Sequence, residues 1–154
     1  MLSSVSDAFL DNLRNRLPDG VLRPVGASDL EEPRGAYHGR AGIVACPDTP
    51  GVVSTLIKAA SEARVPIVPI AGGTGLVGGQ VMPEGPVPLL LSMERMTAIR
   101  AVYPRENVLV AEAGAILAQV QDAAREADRL SPPESASLGR ISAQTRKSRR
   151  RSRL

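Results

Sequence analysis

The sequence predicts an α+β fold, a small mixed sheet with helices on one face. Three stripes of apolar residues recur at helical spacing, and between them lie short apolar runs without that period. Fourteen glycines and thirteen prolines cut the chain into short elements joined by tight turns. At 154 residues and 43% hydrophobic content the chain supports one sizeable core and not two.

Residues 5–17 read as an amphipathic helix, with Val5, Phe9, Leu10, Leu13 and Leu17 on one face. Ser6 is placed to cap it, and Pro18-Asp19-Gly20 ends it. Residues 21–40 are irregular and polar, a connector or an arm lying on something else. Ile43-Val44-Ala45-Cys46, stopped by Pro47, is a buried strand. Thr49-Pro50 supplies an N-cap and a proline at the first helical position. The following stripe is Val52, Val53, Leu56, Ile57, Ala60 and Ala63, running to Arg64. Val65–Ile70 is a second strand whose two prolines place it at an edge or a bulge. Val87–Met93 is a third strand. Ile99–Val102 and Val108–Ala113 flank Pro104–Asn107 as a hairpin. Ile116–Arg129 is a helix with Ile116, Leu117, Val120, Ala123, Ala124 and Ala127 turned inward. After Leu130 the apolar rhythm stops, so the remainder is expected to be a disordered tail.

Composition excludes several functions. Three aromatics, Phe9, Tyr37 and Tyr103, cannot build a stacking platform for single-stranded nucleic acid. One cysteine rules out an internal disulfide, and one histidine beside it leaves little for a metal site. His38 and Cys46 share no metal-ligand spacing; we read His38 as an exposed loop residue and Cys46 as a buried small hydrophobe at a strand end. No apolar stretch approaches the roughly 20 residues of a membrane span. The N-terminus carries no basic segment followed by an apolar one, which sets the expectation of a cytoplasmic protein with a reduced thiol. The net charge of +3 comes from residues 140–154, which hold seven basic groups and no acid. Twelve basic and sixteen acidic groups remain in 1–139, so the body is mildly acidic and carries no basic face for nucleic acid.

The segment Ala71-Gly72-Gly73-Thr74-Gly75-Leu76-Val77-Gly78-Gly79 is the one feature with chemical content. Glycines permit positive φ and close backbone approach, and successive inward amides form a concave anion site. Thr74 adds a hydroxyl. The natural ligand of such a loop is a phosphate or pyrophosphate; the alternative is a glycine-rich loop with no ligand. Gly73-Thr74-Gly75-Leu76-Val77-Gly78 matches the dinucleotide spacing, but Gly79–Pro86 cannot continue as the helix that fingerprint needs. No Gly-Lys-Ser/Thr follows, so it is not a P-loop either. Glu112 has two readings, contact with a cofactor or a structural role capping the helix near Ile116, and we prefer the structural one. No set of side chains is arranged for catalysis, so no catalytic residue is assigned.

Several stretches together resemble one family: Arg34–Arg40, Pro47–Pro50, Val65–Gly79, Leu91–Met96, Glu112–Gly114 and Arg129–Pro132. They resemble the N-terminal FAD-binding domain of FAD-linked oxidases of the vanillyl-alcohol oxidase/p-cresol methylhydroxylase type. Within it, the nearest group is that of the glycolate oxidase D-subunit, D-lactate dehydrogenase and D-2-hydroxyglutarate dehydrogenase. The resemblance covers about residues 30–135. It implies that FAD pyrophosphate contacts fall on Pro69, Ala71, Gly72, Gly73, Thr74, Gly75 and Leu76. The family often has Asn where Gly73 stands. It implies FAD-dependent oxidation of a small 2-hydroxy acid by the full-length family member. Branches that attach flavin covalently use a loop histidine that is absent here, so the flavin is expected to be noncovalent.

The resemblance divides the chain into an N-terminal helix and connector (1–40), a partial FAD-binding domain (41–135) and an Arg-rich tail (136–154). Family members continue with further glycine-rich motifs where Leu138–Leu154 stands, so the chain is expected to be a truncated member. The tail has three readings: a solvated segment, a polybasic patch, or sequence read out of frame, the last being preferred. A basic-tailed binding module and a non-functional gene fragment are the alternatives to FAD binding.

Overall fold

The computed structural model describes residues 1–32, 35–74 and 78–129. Its elements in chain order are α1 (Asp7–Arg16), β1 (Leu22–Arg23), β2 (Ile43–Ala45), α2 (Pro50–Ala63), β3 (Ile67–Ile70), β4 (Leu89–Ser92), β5 (Ile99–Tyr103), β6 (Val108–Ala111) and α3 (Leu117–Glu126). The predicted α+β layout with a small mixed sheet is what forms. Residues 130–154, where the tail and its three readings fall, lie outside the described residues, as do residues 33, 34 and 75–77.

The main sheet has the order β1-β2-β4-β3. β2, β4 and β3 are parallel, with Ala45 beside Leu91 and Ile70 beside Ser92. The proline-bearing β3 is an edge strand, where a missing N–H costs no ladder bond. β4 is central and buried along its whole length, as a parallel strand covered on both faces must be.

The two faces are covered differently. Ala45, Leu89 and Leu91 pack with Phe9 and Leu13 of α1 and with Leu56, Ala59 and Ala60 of α2. Alternate residues of the same strands, Val44, Val68 and Leu90, form a second cluster under Val25, Leu30, Ala41 and Met82. α1 and α2 therefore lie on one face of this sheet, and the polar connector covers the other. Within that connector Leu22 and Arg23 add β1 antiparallel to β2. A two-residue strand carries no period of its own, so sequence pattern leaves it irregular.

Local signals act where expected. Ser6 accepts from the Phe9 amide at 3.3 Å, and Thr49 accepts from the Val52 amide at 3.4 Å ahead of Pro50. Two inward assignments change. Ile57 is 49% exposed, with Ala59 taking the buried place beside Ala60. Ile116 is the N-cap of α3 and 37% exposed, because the helix starts one residue later than its apolar stripe.

β5 and β6 form the antiparallel hairpin, turning at Asn107 with φ +55. α3 packs against it. The hairpin joins the sheet through Gly114, whose amide donates to Met96 O at 2.8 Å. Gly114 is buried against the backbone of the Met93–Met96 turn, and a Cβ there would fall 1.8 Å from Met93 O.

Candidate functional site

The parallel trio sends its carboxyl ends to one edge, the position where open α/β sheets bind ligands. From β3 the chain leaves through Pro69 and Ile70 into Ala71, Gly72, Gly73 and Thr74. Pro69 is exposed; residues 71–74 are half-buried. Gly73 has φ +65, a left-handed backbone that glycine adopts without strain. The loop returns as a 3₁₀ turn, Gly78–Gln80, closed by the Val81 amide donating to Gly78 O at 3.2 Å. No helix opens from it, in agreement with the rejection of the dinucleotide fingerprint.

Loop entry and exit are side by side, since the 3₁₀ turn packs against β3. The connector borders them. The Tyr37 ring lies over Gly78, where a Cβ would be 3.3 Å from Cδ2. Gly39 fits against Val81, and the Arg40 amide donates to Met82 O at 3.0 Å.

Donors gather at this loop. Among the described residues, the amides of Ala71, Gly72, Gly73 and Thr74 have no hydrogen-bond partner. The Gln80 Nε2 amide is buried and likewise without a partner. A Cβ at Gly79 would meet nothing within 4 Å, so space opens beside the turn. Half-buried amides without acceptors suit an anion, and a pyrophosphate supplies oxygens at the spacing of consecutive amides. The residues present therefore fit the phosphate portion of a dinucleotide. Of the sequence-assigned contacts, Pro69 lies in β3, and Ala71, Gly72, Gly73 and Thr74 follow one another on the loop that leaves it. Gly75 and Leu76 lie outside the described residues. Gln80 was missed, because a single glutamine after a glycine run carries no sequence signal.

A second polar cluster sits at the same sheet end, on the connector-covered face. Arg23 grips Asp29 with two bonds, Nη1 to Oδ2 at 2.7 Å and Nη2 to Oδ1 at 2.9 Å. The Gly26 amide also donates to Asp29, at 2.8 Å. The Cys46 thiol donates to Glu94 Oε1 at 3.2 Å, and Arg95 reaches Cys46 O at 3.3 Å. These groups satisfy one another and fasten the connector to the sheet. Burial, then the Glu94 carboxylate, pushes the Cys46 thiol up, so it is a protonated structural thiol. His38 is exposed, and its backbone forms an isolated bridge with Glu31. Glu112 accepts from the Ala98 amide at 2.9 Å and from Arg100 at 2.7 Å. Its role is structural, but it ties the hairpin rather than capping α3, where the amide of the N-cap Ile116 donates to Gln119 Oε1 at 3.4 Å. Among the described residues no cluster of acids, histidine and cysteine could hold a metal ion.

The Arg23 guanidinium holds the Asp29 carboxyl below the usual carboxylate range, burial opposing it and the Gly26 amide assisting. The folded state thus favours the ionised form. That stabilisation is complete above the unfolded value, about 3.9, and is lost as pH falls through the folded value. Asp29→Asn should therefore lower the melting temperature at pH 7 and flatten its acid decline. Melting curves from pH 7 to pH 2.5 check this; parallel curves for the two proteins would refute it.

Comparison with known proteins places this geometry. The family described as FAD binding domain matches residues 41–143. D-lactate dehydrogenase of Archaeoglobus fulgidus is 35% identical over 107 residues, 70% of this chain and 23% of that protein. D-2-hydroxyglutarate dehydrogenase of Xanthomonas citri pv. viticola is 33% identical over 99 residues, 64% of this chain and 21% of that protein. The chain spans less than a quarter of these curated relatives. Among solved structures, an alkyldihydroxyacetonephosphate synthase superposes with a TM-score of 0.66 at 17% identity, over 82% of this chain and 28% of that one. Phl p 4, a grass pollen allergen with glucose dehydrogenase activity, gives 0.61 at 18% identity, over 77% and 26%. These two likenesses establish the fold.

Proposed function

The chain belongs to the FAD binding domain family, and from that premise we propose that it binds FAD through the loop after β3, as part of an FAD-dependent oxidoreductase acting on small 2-hydroxy acids. The observation that carries the reading is the row of amides, Ala71 to Thr74, that have no partner among the described residues and surround a positive-φ glycine. Those amides donate to the pyrophosphate oxygens, Thr74 adds its hydroxyl, and the glycines let the backbone come close. The resemblance also assigns contacts to Gly75 and Leu76, which lie outside the described residues, and to Pro69 in the strand that leads into the loop. Bound FAD supplies a hydride acceptor for the substrate Cα. The relatives named as D-lactate and D-2-hydroxyglutarate dehydrogenases support the substrate class. Glycolate belongs to the same class.

The flavin is held without a covalent bond in this reading, since the sequence of the loop contains no histidine. Residues 41–135 are the cofactor-binding part, and 1–40 contribute a helix and a cover to its sheet. This chain's share of the chemistry is to bind and orient; none of its residues is assigned to proton abstraction. Cys46, a free thiol, fits a reducing compartment such as the cytoplasm. Among the described residues no helix is long and apolar enough to cross a membrane.

Titration of the 154-residue chain with FAD, followed by flavin fluorescence, tests the proposal. Saturable but weak binding is expected, lost on desalting, with ADP competing and riboflavin not. Absence of saturable binding, or riboflavin binding as well as FAD, would overturn it.

A further inference from the structure

Gln80 is the one residue whose buried side-chain nitrogen finds no partner among the described residues. Such a group carries the full desolvation penalty of an amide, a cost that folds ordinarily avoid. It is not in a remote part of the core. It ends the 3₁₀ turn Gly78–Gln80, which closes the glycine loop and packs against β3, the strand that opens it. The buried donor therefore belongs to the same loop as the amides of Ala71 to Thr74, which have no acceptor among the described residues. Backbone and side-chain donors without partners among the described residues thus belong to one loop, and a single anionic ligand would offer acceptors to both.

We propose that Gln80 is a further cofactor-binding residue, its Nε2 amide donating to a pyrophosphate oxygen of the bound dinucleotide. The assignment rests on the FAD reading and adds a side-chain contact to a cradle otherwise made of backbone. A donor left without a partner in the free protein lowers stability there and is repaired only when ligand arrives. Stability and affinity should then respond to Gln80 in opposite directions, which a merely structural glutamine would not produce.

The test uses Gln80→Met, similar in length and lacking the amide, and Gln80→Glu, similar in shape and acceptor-only. Each 154-residue variant is unfolded thermally without ligand, and titrated with FAD, ADP and riboflavin. For Gln80→Met the unliganded melting temperature should hold or rise, while affinity for FAD and ADP falls about tenfold, the loss of one charge-assisted hydrogen bond. Gln80→Glu should weaken both at least as much, because a carboxylate repels the phosphates. A lower melting temperature with unchanged ADP affinity in Gln80→Met would make the residue structural and overturn the proposal. So would weakened FAD binding with ADP binding intact, which would move the contact off the pyrophosphate. Should Gln80→Met fail to fold, the Gln80→Glu titration decides by the same criteria, unchanged ADP affinity refuting the contact. If the wild-type chain binds neither FAD nor ADP, the FAD reading itself falls and this assignment with it; wild-type binding with indifferent variants removes this assignment alone.

Discussion

Gly114→Ala is expected to unfold the chain or bring it close to unfolding. The added methyl would lie 1.8 Å from Met93 O and 2.8 Å from both Met93 C and Met96 O. All three are backbone atoms, so no side chain can turn aside to admit it. Relief requires moving the Met93–Met96 turn away from the hairpin, which breaks the Gly114 amide's bond to Met96 O and the adjoining bond from the Met96 amide to Met93 O. Overpacking in a well-packed site costs about 1–3 kcal/mol and sometimes more, and a backbone obstacle belongs at or above the upper end. Against a total stability of about 5–15 kcal/mol, a loss of about 3 kcal/mol or more is severe. Urea unfolding should show it as a midpoint lowered by at least about 1 M. Gly79→Ala is the control: open space surrounds that position, and its effect should stay within about 0.5 kcal/mol. Equal midpoints for the two variants would contradict the packing of Gly114.

The second large effect concerns binding. Gly73 holds φ +65 among the amides of 71–74, which have no partner among the described residues. Gly73→Val places a β-branched residue in a region it hardly occupies, a strain of about 1–3 kcal/mol that the loop relieves by leaving its conformation. The amides then lose their present arrangement, and FAD and ADP affinity should fall about a hundredfold, or about 2.7 kcal/mol. Gly73→Asn should behave otherwise. Asparagine visits the left-handed region readily, and its side chain brings an additional donor, so affinity should be kept or improved. Both variants should melt within a few degrees of wild type without ligand, because residues 71–74 contribute nothing to either core cluster. Fluorescence titration beside thermal unfolding separates the cases. A Gly73→Val protein binding like wild type would show that the cradle does not depend on this backbone.

Both predictions concern glycines that look alike in the sequence. Nothing in the composition around Gly114 distinguishes it from Gly79. What differs is that Met93 and Met96, about twenty residues earlier, are folded against one and not the other. Gly73 carries a stronger local signal, since it lies in a glycine run after an apolar strand.

The sequence by itself determined the elements whose causes are local. The Ser6 and Thr49–Pro50 caps, the apolar period of α1 and α2, the hairpin, the edge placement of the proline strand and the glycine loop all depend on neighbours within a few residues. The resemblance carried by the motifs around that loop led to the family for the same reason, because the motifs are contiguous. Tertiary structure decided what depends on distant partners. Leu22–Arg23 is a strand only because β2 lies beside it. Ile57 is apolar yet exposed because the sheet presents no surface to it, and Ile116 because it stands ahead of α3 as its N-cap. Glu112 ties the hairpin because Arg100 and the Ala98 amide are across the ladder. Gln80 matters only because the 3₁₀ turn packs against β3 and its side-chain amide is buried there with no partner among the described residues. A periodic pattern can be read from one segment of chain, whereas an unsatisfied donor is defined by everything that surrounds it.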